Sequence, residues 1–146
     1  MKAYLKRKVV ARGWHGDEPP RVDAIAAKFV SAGYINDAEF AQARARSLSR
    51  RGYGHRRLAQ SLDAAGVARA ITETLAPDRD EAFAAAEAFA RRRRLGPFCE
   101  TATTPADQRR HFAALVRAGH DFELARHFSS ARPDDTIADQ PFDFDR

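Results

Sequence analysis

The stretch SRRGYGHRRLAQSLDAAGV, residues 49–67, decides the architecture. It sets a basic joint broken by Gly52 and Gly54 ahead of a short apolar-striped segment, which stops at Gly66. At 3.6 residues per turn, Leu58, Leu62 and Ala65 share one helix face, while Arg56, Gln60 and Asp63 share the other. Gly66 can take the left-handed conformation that ends a helix cheaply. A new apolar face then restarts on Val67, Ala70, Ile71, Thr74 and Leu75. Measured from Gly66, the large anchors lie four before (Leu62), five after (Ile71) and nine after (Leu75).

The same ruler returns downstream, with Leu115 four before Gly119, Leu124 five after and Phe128 nine after. RRLAQSLDAAGVARAITETL (56–75) and RRHFAALVRAGHDFELARHF (109–128) align without a gap. Each follows an alanine-rich helix with an early Phe and late arginines: residues 37–51 with Phe40, and residues 80–95 with Phe83. A partial copy opens the chain, where Val9 lies four before Gly13 and Ile25 and Phe29 keep their spacing of four. Such periods predict an all-α chain of tandem three-helix repeats set in an elongated array, with about eight helices, each unit unable to bury its apolar face alone. The boundaries read as a partial first repeat (1–35), a second (36–76), a third (77–130) and an acidic tail (131–146) expected to be disordered.

Charge is unevenly spread. Lys and Arg number 25 against 20 for Asp and Glu, a net of +5. Residues 131–146 hold five aspartates against two arginines, a net of −3, which leaves +8 on residues 1–130. A basic body favours a polyanionic partner. Between residues 44 and 57 lie six arginines (Arg44, Arg46, Arg50, Arg51, Arg56 and Arg57) and no acid. A merely solvated helix face mixes signs to gain pairs one turn apart, so this run reads as an anion- or partner-binding surface. Tyr53 sits inside it, suited either to core packing or to partner contact. Gly52 and Gly54 read as removing side chains that would hold a partner away. Arg91, Arg92, Arg93 and Arg94 form the second candidate cluster. Four consecutive residues encircle a helix, so at least one is expected to lay its stem along the neighbouring unit.

Along the chain, residues 2–12 read as a helix with Leu5, Val9 and Val10 inward, and residues 13–20 as a loop with Trp14 packed as a lid. Residues 21–32 read as a helix with Val22, Ile25, Ala26 and Phe29 inward, stopped at Gly33. Tyr34 and Ile35 should pack ahead of a cap at Asn36 or Asp37, and the next helix should bury Phe40, Ala41, Ala45 and Leu48. Pro77-Asp78 and Thr104-Pro105 open two further helices, and Gly96-Pro97-Phe98 ends the one between them.

Other chemistries find little footing. Cys99 is the single cysteine, so no internal disulfide forms and a reducing, cytoplasmic setting is expected. No apolar run reaches the ~18 residues of a membrane span, and residues 1–8 lack the apolar stretch of a signal peptide. The phosphate-cradling glycine loop followed by Lys-Ser/Thr is absent. The histidines at 15, 55, 111, 120 and 127 show no zinc-finger spacing, and His111 and His127 read as core-edge residues. Neither enzymatic activity nor a metal or other cofactor is expected.

Taken together, several motifs resemble the RecX family of bacterial recombination regulators. They are Gly33-Tyr34-Ile35-Asn36-Asp37 with Phe40-Ala41, then residues 52–62 and Gly66-Val67, then residues 89–98, and last Leu115, Arg117-Ala118-Gly119-His120 and Phe122. The resemblance spans roughly residues 1–130. Two departures stand out. Family members usually carry one more helix ahead of the segment at residues 2–12, which a start upstream of Met1 would supply, and they often have Asp where Asn36 stands. The resemblance implies a monomer lodged in the groove of the RecA filament, meeting single-stranded DNA through or together with RecA and restraining its ATP hydrolysis, strand exchange and co-protease activity. Its contacts would then be Arg44, Arg46, Arg50, Arg51, Tyr53, Arg56, Arg57 and the cluster Arg91, Arg92, Arg93 and Arg94. Two other readings stay open: a free-standing DNA-binding module with a reading helix at residues 54–65, and a helical adaptor.

Overall fold

The computed structural model describes residues 2–31 and 36–133. The expected stop at Gly33, the packing of Tyr34 and Ile35, and the tail from residue 134 onward lie outside the described residues. Every regular element among those described is helical. The order is α1 (Lys2–Arg12), α2 (Val22–Ser31), α3 (Asp37–Arg50), α4 (His55–Ala65), α5 (Arg69–Glu73), α6 (Arg79–Arg93), a 3₁₀ turn at Gly96–Phe98, α7 (Pro105–Arg117) and α8 (Phe122–Ser130). None is long and apolar enough to cross a membrane. The chain divides into two compact units, one holding residues 1–45 and 59–76, the other residues 46–58 and 77–146.

In the first unit α1 packs along α2, and Lys2 pairs with Asp23 at 3.1 Å. Val22 and Ala26 are buried as the periodicity requires, but Ile25, Phe29 and Phe40 are nearly half exposed and Val10 is open to solvent. Their inward assignment is therefore corrected: Val22 and Ala26 are the buried residues of α2, and Ala41 and Leu48 those of α3. Trp14 is half exposed, and its indole N–H donates to the carbonyl of Glu18, closing its own loop. Asn36 is the cap of α3, since its Oδ1 accepts from the Glu39 N–H at 3.0 Å. The segment after Gly66 makes a single helical turn, in which Thr72 is buried while Ala70 and Thr74 face solvent. Pro77 bars any extension through Ala76, because the residue ahead of a proline is pushed out of the helical region.

The second unit holds the larger core. Phe89, Leu95, Leu115, Leu124 and Phe128 interlock with buried alanines of α6 and α8. Ala86, Ala90 and Ala125 have no accessible surface; their small side chains let the helix backbones approach. Burying a side chain such as Leu115 or Phe128 contributes about 1.5–3 kcal/mol. Both helix starts carry reciprocal caps. Asp78 accepts from Glu81 N–H while the Glu81 carboxylate accepts from Asp78 N–H, and Thr104 does the same with Asp107. α6 stops earlier than the Gly96 signal suggests. Arg94 takes a left-handed conformation (φ 53°), and the Leu95 N–H turns back to the Ala90 carbonyl at 2.9 Å. Gly96 then donates its N–H to His111 Nδ1 at 3.2 Å, which fixes the proton of the neutral ring on Nε2. Burial pushes the His111 pKa down.

The repeated ruler has a repeated geometry. Leu62 and Leu115 are both fully buried. Gly66 and Gly119 both take positive φ. The residue after each glycine donates back to the anchoring leucine, Val67 N–H to Leu62 at 3.0 Å and His120 N–H to Leu115 at 3.2 Å. This is the six-to-one bond of a glycine-terminated helix.

Candidate interface on the arginine clusters

The joint between α3 and α4 is clamped from inside its own unit. Tyr53 N–H returns to the Leu48 carbonyl at 3.0 Å and closes α3. Gly54 N–H donates to Ala118 at 3.0 Å, and Arg56 N–H donates to Gly119 at 3.2 Å. His120 is buried, with Nε2 3.1 Å from the Gly52 carbonyl. Burial drives its pKa down more than Gly52 and Asp121 raise it, so the neutral ring serves as the donor. Gly52 and Gly54 are both buried, and a Cβ on Gly52 would land 2.6 Å from the Phe89 nitrogen. The glycines therefore serve internal packing. The reading in which they clear space for a partner is corrected.

With the backbone pinned, the arginines of the joint and of α6 spread over aromatic rings. The Arg51 guanidinium lies 5.0 Å from the centroid of Tyr53, and Arg92 lies 5.9 Å from the same ring. Arg92 and Arg93 lie 5.8 and 5.9 Å from the centroid of Phe89, whose ring is 6.0 Å from Tyr53. Arg51, Tyr53, Arg92, Phe89 and Arg93 thus form one continuous cluster. Of the four consecutive arginines, Arg92 is the one whose guanidinium comes within 5.9 Å of the ring centroids of both Tyr53 and Phe89. Arg56 lies 5.1 Å over Phe122, itself stacked on Phe112 at 6.0 Å and 18°.

The other expected site residues have different surroundings. Arg91 lies 4.4 Å over Phe98 but also pairs with Glu87 at 2.8 Å. Arg94 pairs with Glu100 at 2.6 Å. Arg44 belongs to the first unit and donates to Ser61 Oγ at 2.8 Å. Arg46, Arg50 and Arg57 are exposed, and among the described residues none of them pairs with a carboxylate. Phe89, Phe98 and Phe122 were not among the residues the charge pattern singled out. The available signal was an aromatic close in sequence to an arginine, as in Phe89-x-x-Arg92 and Arg51-x-Tyr53.

Chemically, a guanidinium that spends only its charge on a ring keeps N–H donors for two parallel bonds to a carboxylate or phosphate. Arg51, Arg56, Arg92 and Arg93 have no ion-pair partner among the described residues. They present uncompensated positive charge on a fixed backbone.

Residues 36–74 match the family described as RecX, second three-helix domain. The chain is 36% identical over 145 residues to the regulatory protein RecX of Myxococcus xanthus (strain DK1622), an alignment covering 90% of this chain and 78% of that protein. It is 31% identical over 130 residues to the regulatory protein RecX of Agrobacterium fabrum (strain C58), covering 84% and 70% respectively. No solved structure matches it. With its paired leucine–glycine turns and arginine-bordered joint, and with these relatives along most of its length, this chain belongs to the RecX family of regulatory proteins.

Proposed function

We propose that this RecX-type regulator acts on the RecA–single-stranded DNA filament as a cytoplasmic monomer, restraining RecA's ATP hydrolysis, strand exchange and co-protease activity, and so tempering recombinational repair and the SOS response. The working surface in this reading is the joint with the end of α6, centred on Arg51, Tyr53, Arg92 and Arg93. Arg46, Arg50, Arg56 and Arg57 of the same unit belong to it, and Arg91 and Arg94 make outlying contacts. The observation that carries it is the gathering of carboxylate-free arginines around Tyr53 and Phe89 in one compact unit. Such a surface raises encounter rates with a polyanionic filament, while its non-basic contacts supply fit.

The test is RecA ATPase on single-stranded DNA with and without this protein. The unmodified chain should lower the rate, and a protein carrying Arg50→Glu and Arg56→Glu should not, while keeping its helicity and melting temperature. A folded double variant that inhibits at the same concentration as the unmodified protein would move the working surface elsewhere.

A further inference from the structure

We infer that the acidic segment 134–146 of this chain is the resident occupant of the basic surface at the end of α6 and the α3–α4 joint, and holds it back until an outside partner displaces it. The inference rests on the reading above for what the surface does, and goes beyond it in naming an intramolecular competitor.

The fold delivers this segment to the surface. α8 packs on α6 and on the 3₁₀ turn that follows it. At Gly96 a Cβ would sit 1.7 Å from the Phe128 carbonyl oxygen and 3.7 Å from that of Ala131. Ala131 ends α8 in an extended conformation (φ −63°, ψ 141°), and Gly96 follows Arg92, Arg93 and Arg94 by four residues or fewer. The chain therefore leaves α8 beside the arginine-bearing end of α6. The thirteen residues 134–146 span at most about 45 Å. That is ample for a surface whose rings and guanidiniums lie 5.0 to 6.0 Å from one another.

Charge matches the two. Residues 134–146 carry five aspartates and one arginine, a net of −4. Arg51, Arg92 and Arg93 have no ion-pair partner among the described residues. The acids nearest in sequence to the end of α6, Glu87 and Glu100, are already paired with Arg91 and Arg94. In Phe142-Asp143-Phe144-Asp145 acids alternate with rings, and on the surface guanidiniums alternate with Tyr53 and Phe89. Carboxylates take the guanidinium N–H donors, and rings attract the cations beside them. Exposed ion pairs are individually weak. A tether, however, gives the segment an effective concentration on the order of millimolar, so a contact too weak to join separate molecules forms within one. An outside partner then meets only the uncovered fraction of molecules, and its apparent affinity falls by that fraction.

The experiment places a nitroxide spin label on the full chain through Ala138→Cys and follows the arginine Nε–H signals by nuclear magnetic resonance. Cys99→Ser, which keeps the donor to the Arg94 carbonyl, leaves a single thiol, and Cys99→Ala replaces it where serine disturbs the fold. The label should weaken the signals of Arg51, Arg92 and Arg93 at low salt. It should release them at about 1 M salt, where charges are screened beyond about 3 Å. Arg51→Glu with Arg92→Glu should restore the Arg93 signal, whereas Arg109→Glu with Arg117→Glu, exposed on α7, should not. In the otherwise unmodified chain, Asp→Asn at 134, 135, 139, 143 and 145 should lower the concentration that half-inhibits RecA. The expected factor is about threefold to tenfold, for a surface covered in about two thirds to nine tenths of molecules. Signals indifferent to the label would overturn the inference, and so would equal release by the α7 pair, which marks diffuse attraction. Weakening that persists with label and observed arginines on different molecules would overturn it in favour of a second copy. A seated segment whose neutralisation leaves inhibition unchanged would overturn the competitor role. Seating in a protein without any effect on RecA would remove the proposed function and leave the contact intact; inhibition without seating would do the reverse.

Discussion

Gly54 and Gly119 meet backbone to backbone. A Cβ on Gly119 would sit 2.9 Å from the Gly54 carbonyl oxygen and 2.7 Å from Arg57 Cβ, and one on Gly54 would overlap the Gly119 carbonyl. Gly66, the counterpart of Gly119 in the repeated ruler, has a similar positive φ with nothing within 4 Å of the corresponding position. The two positions share a conformation and differ in surroundings. Gly66→Ala should therefore cost about 1 kcal/mol, the left-handed backbone term alone. Gly119→Ala should cost about 1–3 kcal/mol more, through overpacking against fixed backbone. Urea denaturation of the two variants compares them directly, and equal losses would mean that the close approach contributes nothing.

Leu62 and Leu115 are both fully buried, and each accepts the backbone bond that closes its helix. Replacing either by Ala should destabilise the protein by about 2–5 kcal/mol. A loss below about 1 kcal/mol at both would contradict their role as anchors.

The reciprocal caps at Asp78 and Thr104 give a smaller expected effect. Asp78→Ala and Thr104→Ala should each lower stability by about 1 kcal/mol. Thr104→Ser, which keeps the hydroxyl, should lie nearer the parent protein. Thermal melts that rank Thr104→Ser with Thr104→Ala would place the loss elsewhere than in the cap.

Burial holds the pKa values of His111, His120 and His127 below the ordinary histidine value of 6.5. The unfolded chain takes up these protons at higher pH than the folded one does. The stability contribution is then fully present above about pH 6.5 and is lost as the pH falls through the depressed folded values. The denaturation midpoint should drop between pH 7 and pH 5, and nuclear magnetic resonance should find the His120 ring still neutral below its ordinary titration point. A midpoint unchanged over that interval would show that these rings do not govern acid stability.

Much of this was written in the sequence, and the losses have a common cause. The ruler around Leu115, Gly119, Leu124 and Phe128 was readable because helix periodicity and a glycine stop are local properties. Asp78 and Thr104 were readable for the same reason. Ile25, Phe29 and Phe40 were misassigned because a spacing of four marks a face without saying what covers it. Gly52 and Gly54 were misread because their neighbours, Phe89 and Gly119, lie far along the chain. The candidate arginines were visible as a charge run. The aromatics beneath them were not, since Arg56 on α4 and Phe122 on α8 lie far apart along the chain.

Arg94 carries a consequence for how such a sequence drifts. It ends α6 in the left-handed region, where a side chain costs about 1–2 kcal/mol relative to glycine. Its ion pair with Glu100 is largely exposed, and such pairs return about 0–1 kcal/mol. Every arginine codon lies one base change from a glycine codon, so the step the backbone favours is also an accessible mutation. A lineage released from any need for the charge should lose it at this position before Arg92 or Arg93. Glycine at position 94 in a descendant gene would then record a binding surface falling out of use.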